Sequence, residues 1–201
     1  MPTADRNRWL AAAALTAAGI DLVVFLLLHL VQPGVDILHQ PTSAYIHGAF
    51  GFTSSLASAA VGLGGIALAA AVWRLAPALG GRIGAGLLGV FGLAKLVQAF
   101  FPIDPAGEVS GAGAVHNLLG NLAFFVLPIA AVLVTRPVAH ATGRDRPAWW
   151  PVVAGWTLVA TMVLVLAGDG LGFFGLAQRI YLVNAMAWTA LVASWLWRGR
   201  R

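Results

Sequence analysis

The sequence contains no cysteine. A disulfide framework and a thiolate metal site are therefore excluded, and the redox compartment cannot be read from thiols. Charge is nearly as scarce: 9% of the 201 residues are charged, against roughly 25% in soluble globular domains. What fills the chain instead is apolar, with 60% hydrophobic residues and a mean hydropathy of +0.86. This is the composition of an integral membrane protein. Backbone groups in lipid must bond within their own segment, so long apolar runs mean helices. The ten-residue alternation of a membrane barrel is absent.

Apolar runs long enough to cross a hydrocarbon core of about 30 Å fall at about 9–31, 49–75, 83–101, 114–135, 149–167 and 173–197. The expected fold is all-α, a bundle of six transmembrane helices forming one integral membrane domain over 1–201. The intervening segments are rich in Gly, Pro, Asp and Ser, which end helices, and none is long enough to separate domains. Asp21 and the length of the first run argue for a retained anchor rather than a cleaved signal peptide.

The net charge of +5 is distributed along the chain in a way that orients it. Ten of the twelve cations, Arg6, Arg8, Arg74, Arg82, Arg136, Arg144, Arg146, Arg198, Arg200 and Arg201, flank the termini and the second and fourth connections. The first, third and fifth connections hold no Lys or Arg. The positive-inside rule then makes both termini cytoplasmic. These cations are read as topology signals that meet anionic membrane lipid, not as a nucleic-acid surface. Arginine supplies eleven of the twelve, and with abundant Ala and Gly this points to a GC-rich bacterial genome and a multi-pass protein of the inner membrane. Trp149, Trp150, Trp195 and Trp197 fall where an interfacial belt is expected, and the small residues of the second and third spans, Gly51, Ser55, Ser58, Gly62 and Gly86, Gly89, Gly92, mark seams for close helix packing.

Against this apolar background the polar residues within the spans stand out, since an ionisable group at lipid depth costs on the order of 3 kcal/mol or more and usually faces a partner or a cavity. At about 1.5 Å per residue, Lys95 and Arg179 lie roughly 9 Å below the surface opposite the termini, and Asp21 roughly 15 Å below it. Gln98 is one turn above Lys95, His29 is near the same end of the first span, and His116, Asn117 and Asn121 occupy the start of the fourth; Asn184 reaches toward the midplane. All of them share one half of the bilayer. The stretch FPIDPAGEVSGAGAVHN (101–117) caps that half: its two prolines hold a non-helical turn, with Asp104 above Lys95 and Gln98, where its carboxylate could pair with Lys95 or Arg179.

The FPIDPAG turn followed by His116-Asn117, the glycine-rich second span, and GLAQRI opening the last span resemble the bacterial membrane proteins grouped as domain of unknown function 998. The resemblance runs from about Trp9 to Trp197, with matching positions at Phe101, Pro102, Asp104, Pro105, His116 and Arg179. It implies a six-helix membrane protein and supplies no mechanism.

Three functions remain open at this level. The first is binding or transport of an anionic lipid head group or small anion in an outward-facing pocket made of Asp21, His29, Lys95, Gln98, Asp104, His116, Asn117, Asn121, Arg179 and Asn184, since Arg suits bidentate recognition of such groups. The second is a membrane enzyme using His116 and Asp104 as acid and base. The third is an accessory or structural subunit in which Asp21–Lys95 and Asp104–Arg179 are merely ion pairs. No HExxH, nucleophile elbow or metal triad is present, so no metal ligand, catalytic residue or cofactor is assigned; a haem between His29 and His116 is the one cofactor arrangement their depths permit.

Overall fold

The computed structural model describes residues 3–199; Arg200 and Arg201, part of the cation count above, lie outside them. Among the described residues there are six long helices and no strand: α1 (Thr3–Val31), α2 (Phe52–Leu75), α3 (Leu79–Gln98), α4 (Gly111–Ala141), α5 (Trp150–Leu171) and α6 (Phe174–Arg198). All six are long and apolar enough to cross a membrane. The ends shift from the sequence expectation where local signals compete. The helix of α3 stops at Gln98 because Pro102 forbids continuation, and α4 runs through Pro137 to Ala141. A short 3-10 helix, Thr42–His47, in the first connection had no counterpart in the hydropathy pattern.

Each helix packs on its neighbours in sequence, and α1 packs on α6, so the six close into a ring. An even number of crossings puts both termini at one end of the bundle, hereafter the terminal end; the first, third and fifth connections lie at the distal end. The terminal half is filled. Ala11, Ala14, Ala71, Val72, Ala130, Ala131, Val134 and Val192 are completely or almost completely inaccessible there. Small side chains let the backbones approach, which is how helices associate when lipid provides no hydrophobic drive.

The closest approach is between α2 and α3. A Cβ at Gly62 would stand 2.5 Å from Leu96 N and 2.7 Å from the Gly92 carbonyl, and Ser58 Oγ donates to the Lys95 carbonyl at 2.9 Å beside it. Not every expected seam glycine takes part: Gly86 faces open space, while Gly64 and Gly84, outside the expected set, pack against α1 and α4. The tryptophan belt divides likewise. Trp149 and Trp197 are exposed, but Trp150 and Trp195 meet edge to face at 4.8 Å inside the terminal end.

Buried polar atoms between helices are matched locally. Pro128 removes the amide that would bond the Phe124 carbonyl one turn earlier, and Tyr181 Oη donates to that carbonyl at 3.2 Å. Trp188 Nε1 donates to Thr135 Oγ1 at 2.8 Å, again tying α6 to α4. Asn184 Nδ2 donates to Thr161 Oγ1 at 3.1 Å, and Thr157 Oγ1 donates to Asn184 Oδ1 at 3.3 Å.

The glycine geometry predicts opposite outcomes for two similar substitutions. Gly62→Ala should lower stability by about 1–3 kcal/mol, the cost of overpacking, in reversible unfolding from detergent micelles. Gly86→Ala, into open space, should be neutral or stabilising by up to about 1 kcal/mol. Equal effects at the two positions would contradict the close α2–α3 crossing at Gly62.

Candidate functional site

Toward the distal end the ring is not filled, and a cavity of about 510 Å³ opens among all six helices. Its depth is apolar, walled by Leu68, Leu88, Leu127 and Met186, while its distal portion carries Asp21, His29, Lys95, Gln98, His116, Asn117 and Asn121. Seven of the ten residues singled out from the sequence therefore share one cavity wall. Three do not, each for a physical reason.

Arg179 is buried, with 5% of its surface accessible, and lies outside the cavity wall. Among the described residues it pairs with no carboxylate. Nε donates to His29 Nε2 at 2.9 Å; Nη1 donates to the carbonyls of Gln40 (2.8 Å), Gly175 (2.9 Å) and Ile37 (3.1 Å); Nη2 reaches Tyr45 Oη at 3.4 Å. The guanidinium also stands over the Tyr45 ring, 5.7 Å from its centroid. Its donors are spent on holding the first connection, so Arg179 is a clamp rather than an anion receptor. Gly175 permits this, because a Cβ there would run into the Gln40 and Ile37 carbonyls.

Asp104 pairs with neither Lys95 nor Arg179. Its Oδ1 accepts from Ser110 Oγ at 2.5 Å and its Oδ2 from the Ser110 amide at 2.8 Å. Ser110 in turn caps α4, its Oγ accepting from the Gly113 amide at 3.1 Å. These two hydrogen bonds, the hydroxyl's first, hold the Asp104 carboxyl below its ordinary pKa. The third connection thus closes on itself, and only Ala99, Phe101 and Ile103 of it reach the cavity. The roof is the first connection instead, through Pro41–Ile46, fastened by Gln32 Nε2 to the Tyr45 and Ala49 carbonyls (2.9 and 2.6 Å) and by Gln178 Oε1 accepting from the Thr42 amide (2.7 Å). Asn184, the third displaced residue, is consumed by Thr157 and Thr161 of α5.

The two histidines are held in defined tautomers, since a carbonyl can only accept. His29 Nδ1 donates to the Phe25 carbonyl at 2.6 Å while Nε2 accepts from Arg179. Both nitrogens are engaged, so a haem between His29 and His116 would require breaking the Arg179 clamp. His116 Nδ1 donates to the Phe101 carbonyl at 2.7 Å, and no hydrogen bond joins His116 to Asp104. The acid–base couple that the sequence left open as one alternative is therefore not joined by a direct hydrogen bond. Among the described residues no group of three or more His, Cys, Asp or Glu is placed to hold a metal ion.

Lys95 is different. Nζ donates to Gln98 Oε1 at 2.6 Å, and Gln98 Nε2 is fixed by the His116 carbonyl at 3.0 Å. An ammonium has three donors, and among the described residues no second acceptor takes the other two. Asp21 faces the same cavity, feels the Lys95 charge, and accepts no hydrogen bond from any described residue; the expected direct ion pair is not formed. Ser54, Ser55 and Ser58, whose hydroxyl-bearing turns of α2 face the charges, were absent from the expected site. Their signal was present as a run of small polar residues, which reads equally as a packing seam.

The exposed part of the cavity lining is confined to one side. Of all its lining residues only Asn117, Asn121 and Phe125 on α4 and Leu166 and Asp169 on α5 are exposed. Asn117, Asn121 and Phe125 repeat every four residues and so lie on one face of α4, which descends roughly 9 to 21 Å from the start of that helix at 1.5 Å per residue. The exposed lining therefore lies along α4 and the distal turns of α5.

The family model described as protein of unknown function (DUF998) matches residues 15–195. The chain belongs to this family. The match spans all six helices and every cavity residue, so the cavity lies within the family's shared region. No curated protein matches the chain, and no solved structure does.

The clamp and the loop closure are each open to measurement. Arg179→Leu should cost at least about 2 kcal/mol, because several carbonyls lose their donor at about 1–3 kcal/mol each, and should raise hydrogen exchange across 36–46; Arg179→Lys should fail to rescue, since one ammonium cannot reproduce the fork. A wild-type-like exchange pattern in Arg179→Leu would refute the clamp. Because the Asp104 pKa is depressed in the folded protein, its contribution is complete above the ordinary carboxylate value of about 3.9 and is lost as pH falls through the depressed value. The Ser110 amide resonance should titrate with a midpoint below that of a free aspartate, and should not titrate with that midpoint in Asp104→Asn.

Proposed function

We propose that this protein binds an amphiphile with an acidic group, taken from the bilayer between α4 and α5. The observation that carries this reading is the exposed lining along α4 and α5: it carries two amides on α4 and the Asp169 carboxylate near the distal end of α5, and it supports a path from lipid to a lysine with unused donors. The acidic group rests on Lys95 and the apolar part lies against Leu68, Leu88, Leu127 and Met186. The volume is within the range of about 300–1,000 Å³ for small-molecule sites and admits a head group with part of one chain, the rest leaving between the helices. Asn117 and Asn121, amides at lipid depth with no hydrogen-bond partner among the described residues, are suited to meet the head group as it enters.

Of the two cations at similar depth, only Lys95 is available, so the anion site narrows from a pair to one ammonium. The charge distribution supports a bacterial inner-membrane location with cytoplasmic termini, which places the cavity in the outer leaflet; membrane lipid is then the partner, and nucleic acid is not. A lipid-binding carrier or an accessory subunit that holds a lipid fits this geometry better than an enzyme, because His116 and Asp104 are bonded away from each other.

Native mass spectrometry of the purified full-length protein with lysophosphatidylglycerol tests the reading. One molecule should bind per chain, and Lys95→Gln should weaken binding about tenfold or more, a charged hydrogen bond being worth about 1.5–3 kcal/mol. Equal affinity in the two proteins would overturn the assignment of Lys95.

A further inference from the structure

Binding an acidic group at Lys95 leaves Asp21 without a role. A carboxylate in the distal cavity should repel an acidic ligand, yet it faces the lysine that receives one. If Asp21 served only to neutralise Lys95, direct contact would be the favourable arrangement, since opposite charges at about 4 Å gain several kcal/mol in a partly buried setting and lysine has a flexible four-carbon stem. No direct ion pair joins them. Gln98, on the same helix, takes the Lys95 ammonium at 2.6 Å and is itself anchored to the His116 carbonyl of α4 at 3.0 Å, so the hydrogen bond that holds the ammonium is made to an amide and not to Asp21. Gly120 leaves room for this anchor, because a Cβ there would stand 2.7 Å from Gln98 Nε2. A positive and a negative group, each with unused hydrogen-bonding capacity, thus line one cavity without a direct ion pair between them.

We infer that the cavity selects a zwitterion, a molecule carrying a primary ammonium for Asp21 and an acidic group for Lys95 beside an apolar portion. This rests on the amphiphile reading and names its ligand class. A plain anion would leave Asp21 unpaired and bring like charges together, whereas a zwitterion pairs both protein charges and keeps the site neutral. The requirement is met by an aminophospholipid head group or by a free amino acid with an apolar side chain, which share the same chemistry.

The test uses the purified full-length protein in mild detergent with three probes followed by native mass spectrometry: lysophosphatidylethanolamine, its N-acetyl derivative, which keeps the phosphate and chain but loses the cation, and L-phenylalanine. The zwitterionic lipid should bind at least tenfold more tightly than the acetylated one, and Asp21→Asn should abolish that difference without weakening the acetylated lipid. Displacement of the zwitterionic lipid by phenylalanine would identify amino acids as a second source; failure to displace it would restrict the ligand to lipid. Equal binding of the two lipids overturns the zwitterion inference and leaves the amphiphile reading intact. Binding of phenylalanine alone keeps the zwitterion inference and overturns the lipid reading, and no binding of any probe overturns both. Since the acetylated probe removes the cation with the wild-type protein in place, the comparison of the two lipids stands even if Asp21→Asn fails to fold.

Discussion

A buried guanidinium bonded wholly to neutral acceptors sets the shape of the distal half of this protein. Loop carbonyls carried down toward membrane depth have no water to satisfy them, and Ile37 and Gln40 find their donor in Arg179, which reaches them from α6 while its Nε engages His29 on α1. Only a planar, multiply donating side chain can hold a loop, a helix turn and an imidazole at once. Because that clamp folds the first connection inward, Pro41–Ile46 roof the cavity, and because its donors are spent there, Arg179 is withdrawn from the cavity chemistry.

Asp21, Lys95 and Arg179, the charges set within the distal halves of α1, α3 and α6, consequently have three different states. Arg179 is saturated, Lys95 is partly engaged through Gln98, and Asp21 accepts nothing from the described residues. Packing explains why the last two retain space around them. In the terminal half the facing residues are alanine and valine, and the helices close; in the distal half Ser54, Ser55, Asn117 and Gln178 replace them, and Gln178 and Gln98 bond across to neighbouring elements rather than filling the centre. The ring therefore widens toward one end. The exposed stripe of α4 and the end of α5 border that widening on the membrane side, which is the geometric basis for a lipid-derived ligand.

The helices were readable from hydropathy because a bilayer imposes a fixed length of apolar chain. The confinement of Asp21, Lys95, Gln98, His116, Asn117 and Asn121 to one half of the bundle was equally readable, since depth follows from counting residues along a straight helix. Azimuth and partner choice were not. Arg179 and Asn184 have the right depth but turn to the first connection and to the α5 threonines, and Asp104 prefers the Ser110 hydroxyl and amide a few residues away to a lysine in the adjacent helix. For Asp104 the partner close in sequence constrains little extra chain, which favours it over Lys95.

The amino-acid sequence alone determined that this chain forms six membrane-spanning helices, that the polar residues within them are concentrated at one end, and that ten of its twelve cations are segregated from that end. Those properties are sums along the chain. Tertiary structure alone decided which connection covers the cavity, which cation remains available inside it, and that the exposed lining lies along α4 and α5. Each of those depends on the rotation of one helix against another, which is settled by contacts between residues far apart in sequence, such as Gly62 with Leu96 and Arg179 with Gln40.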